Sequence, residues 1–257
     1  QVGLEFSEHI LADTETWHHP IIEADLAGLP ESIRQMAAQA AQSRGLNGWI
    51  LTLDAPLYMG FMTYAENRNL RKTLWQAYGQ RAARGDANDN QAHVLEIANL
   101  RRERAQLLGY DSHAQFVLEE RMAGAPEKVQ HFLQDLLFKA KPFAEKELQA
   151  LRAFALDHCQ LQTMERWDAA FVSEKYKKAT LEFDDEMTKV YFPLPRVQSW
   201  AFAVAKRLYG LHFEPSREPS YHPDAQVFDV RDADGQWVAH LHADWHPRKG
   251  KRNGAWM

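Results

Sequence analysis

The stretch PEKVQHFLQDLLFKAKPFAEKELQALRAFALDH, residues Pro126 to His158, decides the fold class. Apolar side chains recur at Val129, Phe132, Leu133, Leu136, Leu137, Ala140, Phe143, Ala144, Leu148, Leu151 and Ala155. That is the i, i+3, i+4 spacing of a helix with one buried stripe. Pro126 suits the first helical turn, where a missing N–H costs nothing, and Glu127 favours the positive end of the helix dipole. Pro142 lies inside the pattern, so a kink or break is expected near Lys141.

Working outward, the same period predicts helices over Glu31–Ser43, Pro56–Ala65, Leu70–Ala83 and Asn90–Leu108. Ser112 followed by Gln115 resembles a capping box that opens a short helix through Glu120. Further helices are expected over Asp168–Lys178 and Arg196–Tyr209, the latter closed by Gly210 as a C-cap. Asp184-Asp185-Glu186 reads as the acidic first turn of a brief helix, where carboxylates partner the dipole. Strand signals are fewer: Gly48–Leu53, Trp17–Glu23, and Val227–Arg231 followed by Trp237–Trp245. The turn Asp232-Ala233-Asp234-Gly235 between the last two marks a hairpin. The resulting fold class is mainly α, a multi-helix body with a small antiparallel β-sheet near the C-terminus. The Pro-rich stretch Glu214–Pro223 is the expected boundary between a helical body, 1–213, and a small β segment, 214–257.

Composition narrows function by exclusion. The chain has 257 residues, 25% charged and 45% hydrophobic, which suits a folded globular protein rather than a disordered one. A net charge of -5 gives no global attraction to nucleic acid or to an anionic membrane. The basic run Arg248, Lys249, Lys251 and Arg252 reads as a solvated loop rather than a phosphate site. No apolar run approaches the roughly 20 residues needed to span a bilayer. Cys159, the single cysteine, allows no intrachain disulfide and fits a reducing cytoplasm. It neighbours His158 in sequence, but adjacent residues do not face each other on a helix, so an inert thiol is expected. The start at Gln1, with neither a basic segment nor an apolar signal core, reads as a chain cut from a longer protein.

His240-Leu-His242-Ala-Asp244-Trp-His246 is the one cluster of candidate metal ligands. In a continuous strand these four polar side chains share a face. Residues four apart lie about 13 Å from each other in a strand, so only a neighbouring pair such as His240 and His242 can share an ion. The spacing of His242 and His246 lacks the Glu and the helix of a zincin motif. Lining of a partly polar sheet face is favoured over a zinc site, which stays open as an independent metalloprotein reading. The aromatics Trp49, Tyr58, Phe61, Tyr64, Trp75 and Tyr78 fall at core spacings. No nucleophile elbow, P-loop or dinucleotide fingerprint is present.

Ordered sequence blocks carry a family resemblance: FSEHIL at 6–11, AGLP at 27–30, LDAPLY at 53–58, MTYAENRNLR at 62–71 and LRRERAQLLGY at 100–110. AVAKRLYG at 203–210, YHPD at 221–224, FDV at 228–230 and GKRNGAWM at 250–257 complete the series. Together they resemble the thimet oligopeptidase/oligopeptidase A family of zinc metallopeptidases over essentially the whole chain.

The resemblance implies part of a zincin-like oligopeptidase fold, a largely helical body around a channel that admits short peptides. In that family the H-E-x-x-H helix, which binds zinc and activates water, follows the Gly-Ala-Trp stretch, and no such motif occurs in these residues. The chain therefore reads as channel wall without the catalytic centre, inactive alone. Zinc belongs to the full-length family and none is expected on this segment. The implied partners are short peptides and the remaining catalytic portion of the same protein, with no nucleic acid and no membrane.

The resemblance also assigns Gly254 and Ala255 as peptide-backbone contacts, with Trp256 as a wall, next to an edge strand that an extended substrate can join. His242 and His246 stand where the family commonly has aromatics, and Asn253 where it has Gly. The alternative reading is a non-catalytic peptide-binding or scaffold module.

Overall fold

The computed structural model describes residues 1–248, 250 and 251, with only the backbone described at Asp185. Its residues gather into two compact units, Gln1–Thr180 and Leu181 onward. The fold is mainly α, as the apolar periodicity requires.

In the first unit, α1 (Val2–Thr16), α2 (Glu31–Gln42), α3 (Ala55–Tyr64) and α4 (Arg68–Gly79) alternate with β1 (His18–Ile21) and β2 (Trp49–Thr52). The two strands pair antiparallel, with His19 opposite Leu51 and Pro20 opposite Ile50. Ile21, Ile33, Leu51, Leu53, Leu57, Phe61, Leu74 and Ala77 are buried together in one core. Trp49, Tyr58, Tyr64, Trp75 and Tyr78 pack against it, which confirms the aromatics as packing. Tyr58 stacks on Tyr78 with ring centroids 3.9 Å apart. Gly28 (φ 83°) has no room for a side chain, since a Cβ there would run into the Tyr64 carbonyl oxygen.

The sequence pattern does not announce α1, which is held by polar contacts rather than by a strong apolar stripe. Asp13 is buried and accepts from the Ala82 N–H at 2.8 Å and from Asn88 Nδ2 at 3.0 Å. Asn67 caps α4 by accepting from the Leu70 N–H at 3.1 Å. In α6 (His113–Leu118) the capping box forms as expected, with Ser112 and Gln115 each accepting the other's backbone N–H.

A buried ionic knot ties α4 to the 3-10 turn at Arg166–Asp168. Asp168 is 0% exposed and Arg71 1%. Arg71 Nη2 donates to Asp168 Oδ1 at 2.8 Å, and Arg68 Nη2 to Oδ2 at 2.7 Å. Arg71 also donates to the carbonyls of Ala65, at 2.6 Å, and Trp167, at 3.2 Å, and its guanidinium lies 4.0 Å from the centre of the Phe171 ring. Burial pushes the Asp168 carboxyl up, but hydrogen bonds from Arg68, the Glu165 N–H and Arg71 outweigh it and hold it below its ordinary value.

After α5 (Gln91–Leu107) and α6 comes α7, Pro126–Cys159, a helix of 34 residues. It runs unbroken through Pro142, so the expected break near Lys141 does not occur. Proline removes one ladder hydrogen bond at a cost of about 3 kcal/mol, and the long helical arms on either side carry the helix across that gap. The apolar stripe is also not buried: Phe132 is 64% exposed, Leu137 63% and Phe143 71%. The C-terminal end is covered, where Ala155 packs with Phe171 and Val172 of α8 (Ala169–Leu181), and Val129 near the N-terminal end is half-buried beside α6.

In the second unit, the acidic Asp184–Glu186 segment opens a 3-10 helix, Asp185–Tyr191, where Asp184 accepts from the Glu186 N–H. α9 (Leu194–Tyr209) ends on Gly210 (φ 71°) as its left-handed cap. A three-stranded antiparallel sheet comes next, in the order β3 (His212–Pro215), β4 (Gln226–Arg231), β5 (Trp237–Ala243). β3 runs into the start of Glu214–Pro223, the stretch read from sequence as the boundary between helical body and β segment. Phe202 of α9 stacks on Phe213 at 4.3 Å and meets Phe228 edge-on at 5.0 Å, which seats the helix on one sheet face.

Removing one partner of a buried ion pair costs about 3–5 kcal/mol, so Arg71→Met should lower the urea midpoint sharply while Lys139→Met on exposed α7 should not. Because the Asp168 carboxyl is lowered in the folded state, its contribution is present above the ordinary carboxylate range and lost as pH falls below about 4. Asp168→Asn should lower stability at neutral pH and flatten that acid limb of a denaturation profile. Separately, the bare stripe of α7 should bind a hydrophobic dye, and Leu137→Ser with Phe138→Ser should reduce the signal with helical circular dichroism unchanged.

Candidate functional site

β5 lies at the edge of its sheet, paired to β4 on one side. Alternate backbone N–H and C=O groups of an edge strand point away from its neighbour and can pair with another extended chain. Most of the strand is solvent-accessible, and Trp237 and Val238 are exposed.

The strand ends at Ala243, so the expected four-residue polar face is cut to two. His240 and His242 share a face opposite Asp229 and Val227, whereas Asp244 and His246 lie beyond the strand. His240 Nδ1 lies 3.0 Å from Asp229 Oδ1, an ion-pair distance when the imidazole is protonated. A hydrogen bond from Ser216, more than the nearby His240, holds the Asp229 carboxyl below its ordinary value. His242 stacks on Tyr221 with centroids 5.7 Å apart. The histidines are thus distributed among protein partners rather than gathered around a point. Among the described residues no group of three or more His, Cys, Asp or Glu side chains could hold a metal ion. The described residues therefore do not fit the zinc that the resemblance implies, and no chemical step of theirs runs through it.

Past the strand, Asp244 gathers the basic run. Its carboxylate accepts from Arg248 Nη1 at 2.6 Å and from Tyr221 Oη at 2.9 Å, and Lys251 Nζ lies at 3.1 Å. Lys251 Nζ also donates to the carbonyls of Asp244, at 2.7 Å, and His246, at 2.9 Å. Arg248 foremost, then Tyr221 and Lys251, hold the Asp244 carboxyl well below the usual carboxylate range despite partial desolvation. Two of the four basic side chains are thus folded onto a carboxylate rather than left free for phosphate. Asp244 is readable from sequence as one more polar residue of the strand, but nothing in the sequence marks Tyr221 as its partner. Gly254, Ala255 and Trp256, the backbone contacts implied by resemblance, lie outside the described residues.

Cys159 closes α7 with partial exposure. Burial pushes its thiol up, the wrong direction for a thiolate nucleophile at neutral pH.

Comparison with known proteins gives these features a class. The signature of peptidase family M3 matches residues 61–257. The chain belongs to this family. It is 37% identical to oligopeptidase A of Escherichia coli strain K12 over 263 aligned residues, covering all of this chain and 39% of that protein. Oligopeptidase A of Haemophilus influenzae is 38% identical, again over the whole chain and 39% of the relative. Dipeptidyl carboxypeptidase of Escherichia coli is 30% identical over 98% of the chain and 38% of its own length. The chain thus spans well under half the length of these relatives. Among the described residues no helix is long and apolar enough to cross a membrane.

With His240 held by Asp229 and His242 against Tyr221, zinc should give weak heats on calorimetric titration. The double variant His240→Ala, His242→Ala should give the same trace; a saturable wild-type isotherm lost in the variant would establish a metal site.

Proposed function

We propose that the chain is a segment of an oligopeptidase A-like zinc metalloendopeptidase that acts on short peptides, and that β5 is its peptide-docking edge. The observation that carries this reading is the accessible edge strand, set in a chain that belongs to peptidase family M3. An extended peptide adds to such an edge through main-chain hydrogen bonds, which are nearly blind to side-chain identity. That is the affinity an enzyme acting on varied short peptides needs.

In this reading the segment forms wall and approach of the substrate channel. Gly254 permits close approach of a peptide backbone, Ala255 continues that contact, and Trp256 stands as a wall. The water-activating zinc site belongs to another portion of the same protein, and the segment alone binds without cutting. A lone cysteine suits a reducing cytoplasm as the place of action.

A quenched fluorescent peptide of eight to twelve residues should not be turned over by the chain with added zinc, while a labelled copy should bind saturably in fluorescence anisotropy. Methylating alternate backbone nitrogens of the peptide on one edge should weaken binding about tenfold, the loss of one or two main-chain hydrogen bonds. Binding indifferent to that methylation would remove β5 as a docking edge.

A further inference from the structure

The knot beyond β5 gives the proposed docking edge a control point. Asp244 has only 9% of its side chain exposed, and three donors from two directions meet on its carboxylate. Tyr221 comes from the loop before β4, where its ring also faces His242 of β5. Arg248 and Lys251 come from the run after β5, and Lys251 further clasps the carbonyls of Asp244 and His246. Arg248 and Lys251 are thereby folded back on the end of the strand.

We propose that Asp244 is a positioning residue for peptide binding: its carboxylate draws Tyr221, Arg248 and Lys251 together at the end of β5 and so keeps the strand edge in a binding-ready arrangement. The proposal rests on the reading of β5 as the docking edge. Two cations that share one carboxylate repel each other once it is neutral, so loss of this single charge opens the knot as a whole. When the competent arrangement is only fractionally populated, the apparent dissociation constant rises by the reciprocal of that fraction. Asp244 is expected to act on affinity in this way, without touching the peptide.

The depressed carboxyl supports the same idea from titration. Asp244 stays ionised through the ordinary carboxylate range, so the knot persists on mild acidification and opens only at lower pH.

The test uses the 257-residue chain and the labelled peptide in anisotropy. Asp244→Asn, which preserves shape and removes charge, should raise the dissociation constant about tenfold, as for an arrangement populated about a tenth of the time. Asp244→Glu should recover most of the affinity, a rescue that a purely steric role would not give. Amide hydrogen exchange should quicken over 244–251 in the Asn variant and stay unchanged in β4. Should the Asn variant misfold, Arg248→Gln and Tyr221→Phe each remove one donor from the rim of the same knot. Each should weaken binding about threefold, without either residue touching the peptide.

Unchanged affinity in folded Asp244→Asn, or in both donor variants, would overturn the proposal with the docking edge intact. Absence of any peptide binding by the wild-type chain would overturn the docking edge, and this inference with it.

Discussion

Arg71 and Asp168 meet in the interior of the first unit, 97 residues apart in sequence, and neither has water to fall back on. Two ions leave water for a low-dielectric site only when nearly every donor and acceptor finds a partner. Here the guanidinium reaches two helix-end carbonyls and the Trp167 carbonyl besides the carboxylate, and Arg68 and the Glu165 N–H complete the carboxylate. The knot therefore specifies how α4 meets the turn that opens α8, and through Phe171 it joins the packing that covers the end of α7. The aliphatic core would tolerate many small shifts of these helices, whereas the ion pair tolerates few.

The long helix shows what such constraints leave undone. Its period reads as a core helix, yet in the folded chain most of its apolar stripe meets solvent. Periodicity reports that a face is apolar, and whether anything lies against it depends on other residues. The passage through Pro142 has a similar lesson, because a local penalty of about 3 kcal/mol was outweighed by the continuity of the helix on both sides.

At the sheet, legibility was uneven for a geometric reason. The hairpin, its turn and the sharing of a face by His240 and His242 followed from alternation. The pairing of His240 with Asp229 did not. A four-residue turn at 232–235 would set Arg231 opposite Gln236, but the loop closes with the Asp232 N–H bonded to the Gln236 carbonyl, and a bulge falls at Val230/Arg231. These shift the register, and register decides which side chain meets each histidine. The end of the strand at Ala243 likewise removed Asp244 from the polar face and made it the centre of a different cluster. The family blocks, by contrast, were legible in order along the whole chain, and they carried the membership in peptidase family M3.

The sequence by itself determined the local elements: helix periods, the Ser112 capping box, the Gly210 cap, the hairpin and the predominance of helix. Each depends on residues a few positions apart, whose interactions are set by the chain's own geometry. Only the tertiary structure decided that Arg71 meets Asp168, that α7 keeps a bare apolar face, and that Tyr221, Arg248 and Lys251 converge on Asp244. Those choices depend on loop lengths, strand register and the satisfaction of buried charge, quantities that arise when distant segments are brought together.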